Sequence, residues 1–169
     1  MSYNWQILPI LESVVDNVDR KIVRELQKNA RLTNQELAER VNLSPSPCLR
    51  RVRKLEEAGI LSGYNAKVDQ EQYGLPMNVF ISVRLNVQNE ASIREFEEGV
   101  NALDHVMECY LIAGSRDYLM RVVSEDLKSY EHFIRDELTK IPGIASIESS
   151  FAFGNVKSQS VFPALKRPH

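Results

Sequence analysis

The 169-residue sequence predicts an α+β protein in two parts, a three-helix N-terminal unit followed by a ferredoxin-like βαββαβ unit. Apolar residues between positions 18 and 55 recur at helical spacing, in three short runs separated by turn signals. From Met77 the apolar period changes to two. Beyond that point strand-like and helix-like stretches alternate, broken at Gly114-Ser115-Arg116-Asp117 and at Pro142-Gly143. The divisions fall at 1–15 (an N-terminal extension), 16–60 (the helical unit), 61–76 (a strand and linker hinge), 77–155 (the ferredoxin-like unit) and 156–169 (a C-terminal tail).

Asp16 can cap a first helix with Asp19 three residues in, both carboxylates lying near the positive end of the helix dipole. Val18, Ile22, Val23 and Leu26 form its apolar stripe, and Asn29-Ala30-Arg31 its exit. Thr33-Asn34-Gln35-Glu36 is a capping box opening a second helix with Leu37, Ala38 and Val41 inward. After a tight turn at Asn42-Leu43, Ser44 is placed to cap a third helix, with Pro45 at the first position, where a missing N–H costs nothing. Cys48, Leu49, Val52 and Leu55 make its inward stripe, and Gly59 closes it.

Ile60 to Val68 reads as a strand and Asp69 to Pro76 as a linker. Val79, Ile81, Val83, Leu85 and Val87 alternate with polar residues as in a half-buried strand. A helix over 89–103 follows, with Ile93, Phe96, Val100 and Leu103 on one face. Strands are expected at Val106–Ile112 and Tyr118–Val123, around the 114–117 turn. Asp126 to Leu138 is a second helix, carrying Leu127, Tyr130, Phe133, Ile134 and Leu138, and Ile144 to Phe153 is the last strand. In such an order both helices cover one face of the sheet and leave the other open, turning residues such as Phe80 or Met107 to water. An exposed apolar patch is costly, so pairing with another copy, sheet to sheet, is expected, giving at least a dimer.

Apolar content of 43 % and charged content of 26 % are ordinary for a globular chain. No apolar run approaches the roughly 20 residues of a membrane-spanning helix. Met1 to Val15 lacks the basic start of a signal peptide and is interrupted by Glu12 and Pro9, so a cytoplasmic protein without a membrane partner is expected. Cys48 and Cys109 are too few for a disulfide framework and lack metal-ligand spacing, so both are read as buried structural thiols. No catalytic set, metal site or cofactor motif is present in the pattern.

The net charge of −2 excludes a generally basic coat, but its distribution is uneven. Ser44 through Leu55 holds Arg50, Arg51, Arg53 and Lys54 and no acid, whereas beyond residue 76 acids outnumber bases. A capped helix, a short turn and a basic second helix are the ingredients of a helix-turn-helix that reads double-stranded DNA. With Val52 inward, a step of about 100° per residue turns Arg50 and Lys54 outward, with Ser46 and Pro47 beside them near the helix start. Ser46, Pro47 and Arg50 are therefore candidates for base contacts, and Ser44 at the cap is a further DNA-binding candidate. Arg51, Arg53 and Lys54 are candidates for phosphate contacts.

Several segments together resemble the Lrp/AsnC (leucine-responsive, feast/famine) family of transcriptional regulators. They are Asp19-Arg20-Lys21-Ile22, Leu26-Gln27-Lys28-Asn29-Ala30-Arg31, Leu43-Ser44-Pro45-Ser46-Pro47-Cys48-Leu49-Arg50-Arg51-Val52, Leu55-Glu56-Glu57-Ala58-Gly59-Ile60, Gly63-Tyr64, Ala113-Gly114-Ser115-Arg116-Asp117-Tyr118-Leu119 and Ile141-Pro142-Gly143-Ile144. The resemblance spans about residues 16–160. It implies a winged helix-turn-helix, a strand hinge, and an effector domain that forms a homodimer and then an octamer or another multiple of dimers. It further implies a small effector, an amino acid, bound near Gly114, Ser115, Arg116, Asp117 and Tyr118, with Ser149 and Ser150 from the last strand. Many members carry an acid directly after the turn glycine; this chain has Ser115 and Arg116, which changes how a ligand's ammonium and carboxylate would be paired. The alternative is a tetrapyrrole (haem-pathway) decarboxylase of related architecture, using basic residues and histidines such as His105 and His132.

Overall fold

The structure, a computed structural model, describes residues 15–164. The expected N-terminal extension, Val15 apart, and the last five residues of the expected tail lie outside the described residues. The described chain contains α1 (Asn17–Lys28), α2 (Asn34–Val41), α3 (Pro45–Glu57), β1 (Met77–Leu85), α4 (Glu90–Asn101), β2 (Val106–Leu111), β3 (Tyr118–Ser124), α5 (Leu127–Asp136), a 3₁₀ turn at Leu138–Lys140, and β4 (Ile144–Ala152). It divides into two compact units, Val68–Val156 on one hand and residues 15–67 with 157–164 on the other. None of the described helices is long and apolar enough to cross a membrane.

In the helical unit both capping boxes form. The Asp16 side chain accepts from the Val18 and Asp19 N–H groups, at 2.7 and 2.8 Å, and Asp19 Oδ2 accepts from the Asp16 N–H at 3.1 Å. Thr33 and Glu36 exchange the same pair of bonds at the start of α2. Ile22, Leu26, Leu37, Ala38, Val41, Cys48 and Leu55 meet in one core. Gly59, at φ +68°, follows the last turn of α3 in the left-handed conformation that an L side chain adopts at a cost. Two readings of α3 are corrected. Leu49 is 38 % exposed, outside the buried side of α3 that Cys48 and Leu55 form. Ser44 occupies the N-cap position, but its side chain makes no capping bond.

The expected strand over Ile60–Val68 does not form. Residues 62–69 are exposed and carry no regular structure, because a strand needs a ladder partner and no described strand pairs with this segment. Its start is nevertheless tied down: the Tyr64 hydroxyl donates to Glu56 Oε1 on α3 at 2.7 Å, and burial together with that carboxylate pushes the phenol up to about 12.

The second unit has the βαββαβ order, and its antiparallel sheet runs β2-β3-β1-β4. Alternate residues of β1 and β3 (Val79, Ile81, Val83, Leu85; Tyr118, Met120, Val122) point to one face. There they pack against Phe96 and Val100 of α4, Tyr130 and Phe133 of α5, and Leu138 and Ile141. Val87 falls beyond the register shift at Arg84/Leu85, where β1 has ended, and is exposed. Leu127 is the first residue of α5, ahead of the buried stripe, and is exposed as well.

The opposite face carries Asn78, Phe80, Ser82 and Arg84 from β1. Phe80 is 40 % exposed there, and Met107, at the register shift of β2, is 53 % exposed. The face is mixed, not uniformly apolar: Arg121 bonds Glu108 Oε1 at 3.0 and 3.2 Å and Asn78 Oδ1 at 3.2 Å, and the Tyr110 hydroxyl donates to Glu108 Oε2. Cys109 is exposed on the edge strand β2, against expectation. Shelter around its sulfur and the Glu97 carboxylate push the thiol up to about 11, so it stays protonated at neutral pH.

The helical unit owes part of its stability to carboxylates. Asp16 is held below the ordinary 3.8 first by the Asp19 N–H, Glu25 below 4.5 first by its bond from Lys28, and Glu36 below 4.5 first by the Thr33 N–H. A lowered pKa in the folded state stabilises it fully above the ordinary value and progressively less as pH falls through the lowered one. Thermal melts of this unit are expected to be flat down to about pH 5 and to fall steeply below about pH 4, within the carboxylate range. A melting temperature unchanged at about pH 3 would contradict this assignment.

Candidate nucleic-acid interface and effector site

The end of α2 and the start of α3 are joined through Asn42, whose left-handed conformation (φ 57°, ψ 48°) turns the chain, followed by Leu43 and Ser44. Asn34, in the first turn of α2, donates from Nδ2 to the Pro45 carbonyl at 2.9 Å and so fixes where α3 begins. No sequence pattern marks this bond, because its two residues belong to different helices. Cys48 and Leu55 anchor one side of α3 in the core. On the other side Ser46, Arg50, Arg53 and Lys54 are exposed, with Pro47 half-buried beside them and Ser44 exposed at the cap. Arg50, Arg53 and Lys54 hold no ion pair among the described residues, whereas most of the other arginines there do.

Arg51 departs from the expectation of a free phosphate cation. Its Nη1 donates to Asp16 Oδ2 at 2.6 Å and to Asp19 Oδ1 at 2.7 Å. The same carboxylates that cap α1 thus neutralise Arg51 and brace α1 against α3. Helical spacing placed Arg51 on the flank of α3, and that flank faces the N-terminus of α1.

The turn residues split between the two faces of the sheet. Gly114 (φ +153°) and Ser115 are exposed at the tip. Asp117 is occupied by the fold: Oδ2 accepts from the Leu85 N–H at 2.7 Å, Oδ1 from Gln88 Nε2 at 2.5 Å, and its own N–H donates to the Val83 carbonyl. Arg116 reaches the open face, where it bonds Ser146 Oγ at 3.2 Å and Glu148 Oε2 at 2.5 Å. Ser150, paired with Phe80, shares that face. Tyr118 instead lies in the helix-covered core, its ring 4.5 Å from Phe96 and its hydroxyl donating to Glu97 Oε1 at 2.9 Å. Ser149, paired with Ile81, is on the helix side too and bonds the Tyr130 hydroxyl at 2.5 Å. The expected effector residues therefore do not line a single surface, because neighbouring residues of one strand point to opposite faces. Among the described residues no group of His, Cys, Asp and Glu is arranged to hold a metal ion.

Residues 15–62 match the family model of a winged helix-turn-helix DNA-binding domain, and residues 78–162 match that of the Lrp/AsnC ligand binding domain, half of the whole chain. The chain belongs to the Lrp/AsnC family. Among its Lrp/AsnC relatives is the Bkd operon transcriptional regulator of Pseudomonas aeruginosa, 42 % identical over 149 residues, or 88 % of this chain and 97 % of that protein. Another is the leucine-responsive regulatory protein of Escherichia coli, 34 % identical over 146 residues, or 86 % of this chain and 89 % of that protein. Of solved structures, a Neisseria meningitidis transcriptional regulator in complex with L-Met superposes with a TM-score of 0.83 at 38 % identity, covering 88 % of this chain and 96 % of that one. Escherichia coli AsnC gives 0.81 at 27 % identity, covering 89 % and 100 %. The Lrp/AsnC relatives are transcriptional regulators and not enzymes, and the decarboxylase alternative finds no support among them.

Proposed function

We propose that the protein regulates transcription by reading DNA with the outward N-terminal face of α3, and that a free amino acid bound at the 114–117 turn sets how its assemblies engage that DNA. The observation that carries the reading is the set Arg50, Arg53 and Lys54, exposed and without ion-pair partners among the described residues, opposite buried Cys48 and Leu55. Ser44, Ser46, Pro47 and Arg50 take the base edges, and Arg53 and Lys54 the phosphates. Arg51 acts as a brace.

An amino-acid effector is supported by the Neisseria meningitidis neighbour, which holds L-Met. In this chain Arg116 is the cation suited to a ligand carboxylate, which would displace Glu148 from it. Gly114 and Ser115 offer backbone and hydroxyl groups at the exposed tip, and Ser150 lies on the same face as Arg116. Tyr118, Asp117 and Ser149 support that wall from behind. Two copies pairing open sheet faces through Phe80 and its neighbours make a homodimer, which presents two α3 helices to half-sites about 34–36 Å apart or a multiple of that. Dimers associate further, as an octamer or another multiple, and the protein works in the cytoplasm.

A thermal-shift screen of the twenty amino acids tests the effector half. One or a few should raise the melting temperature, since a ligand of the folded state at a hundredfold excess over its Kd adds about 2.7 kcal/mol. The same ligands should leave Arg116→Ala unmoved. A screen in which no amino acid shifts the melt would overturn the effector assignment and leave DNA reading untouched.

A further inference from the structure

We infer that α1 carries a docking site for the chain's own C-terminal segment, with Gln27 as its clasp, and that this segment restrains the DNA-reading unit. Residues 157–164 follow β4, yet they belong to the same compact unit as α1, α2 and α3. The contact that holds them is a double one. Gln27 Nε2 donates to the Ser160 carbonyl at 3.1 Å, and the Phe162 N–H donates to Gln27 Oε1 at 3.2 Å. One carboxamide thus meets the C=O and the N–H that flank Val161, the pair that one residue of a parallel β-strand meets on its neighbour. Val161, between them, is half-buried while Phe162 and Pro163 are exposed. The clasp therefore reads backbone, and the occupant it fits is this C-terminal segment, which bends at Val161.

Two features give the clasp a consequence. Gln27 sits on the helix that Asp16 and Asp19 tie to Arg51 of α3, so whatever holds α1 also holds the recognition helix. The segment it grips is continuous with β4, whose Glu148 bonds Arg116 of the turn. The reading unit is thereby joined to the sheet by two stretches of chain, one through the exposed residues 62–69 and one through 153–160. A unit on one unstructured tether swivels freely, whereas a second attachment narrows the positions that two such units in a dimer can take on DNA. The coupling of this strap to a ligand rests on the proposed effector site; the strap itself does not.

The test uses two full-length variants. Gln27→Met keeps the length and shape of the side chain and removes both hydrogen-bonding groups. Phe162→Pro removes the amide donor, together with an exposed phenyl ring, from the C-terminal segment and leaves α1 itself unaltered. Amide exchange followed by mass spectrometry should show the residue-162 amide protected in the parent and exchanging about tenfold faster in Gln27→Met, with α1–α3 unchanged, as for release of one local contact. No ligand or DNA enters this measurement, so its outcome is separate from that of the effector reading. Binding to paired half-sites whose spacing is varied by half and whole helical turns should then show a preferred spacing in the parent. That preference should flatten several-fold in both variants, while affinity for a single half-site stays the same. Unchanged exchange at residue 162 in Gln27→Met would rule out the clasp. Faster exchange with an unaltered spacing preference in both variants would overturn the restraint. If Gln27→Met also loosens the helices, the spacing profile of Phe162→Pro decides alone.

Discussion

Replacing Arg50 with alanine is expected to weaken binding to the protein's operator about 5- to 150-fold, while binding to unrelated DNA at the same salt changes little. Those bounds correspond to the roughly 1–3 kcal/mol of discrimination that a bidentate arginine contributes against the wrong base. The residue is exposed near the start of α3 and has no ion-pair partner among the described residues, so none of them competes for its guanidinium. Removing it should not disturb the core behind it, where Cys48 and Leu55 remain buried. The counterpart is Lys54→Ala. Loss of a phosphate contact lowers affinity for all sequences alike and reduces the slope of log K against log salt by about 0.9. Fluorescence anisotropy with operator and scrambled duplexes across a salt series separates the two signatures. Equal losses on both duplexes for Arg50→Ala would remove it from base reading.

Asp19→Ala is expected to cost the helical unit about 3 kcal/mol. The side chain is only 8 % exposed and does two jobs. Its Oδ1 takes Arg51, and its Oδ2 takes the Asp16 N–H at the mouth of α1. Losing a capping group costs roughly 0.5–2 kcal/mol, and a hydrogen bond to a charged group contributes roughly 1.5–3. Arg51 stays one-third exposed and keeps the more exposed Asp16, so the full penalty of a stranded buried charge does not apply. For so small a unit, each kcal/mol moves the melting temperature by about 4–8 °C, so a fall of at least about 10 °C in the corresponding calorimetric transition is expected. A transition that hardly moves would mean that the brace is idle and would return Arg51 to the phosphate set.

The parts of the fold that the sequence disclosed are those governed by near neighbours. Asp16 with Asp19, Thr33 with Glu36, and Pro45 at the head of α3 act over three or four residues, and all occupy the expected positions. The switch to a two-residue period at Met77 likewise marks the face of β1 that α4 and α5 cover. What stayed hidden depends on partners far along the chain. Arg51 sits in a run of four cations, and only the packing of α1 against α3 shows that it differs from Arg50 and Arg53. Ile60–Val68 has the composition of a strand, but composition does not supply the ladder partner. Gln27 gave no signal at all, since its bonds reach 133 and 135 positions away. Tyr118 is the instructive case among the effector candidates. Its alternation with Met120 and Val122 marks the helix-covered face, whereas the motif resemblance implies a place beside the effector turn.

The occupied carboxylate of Asp117 bears on how tightly the turn can bind anything. With both oxygens accepting bonds from Leu85 and Gln88, and the backbone tied to Val83, this corner is pinned at three points. An effector at the proposed site would meet a shape already set, so its association would lose little free energy to ordering the loop. Selectivity among guests of similar charge then follows from fit to a fixed outline.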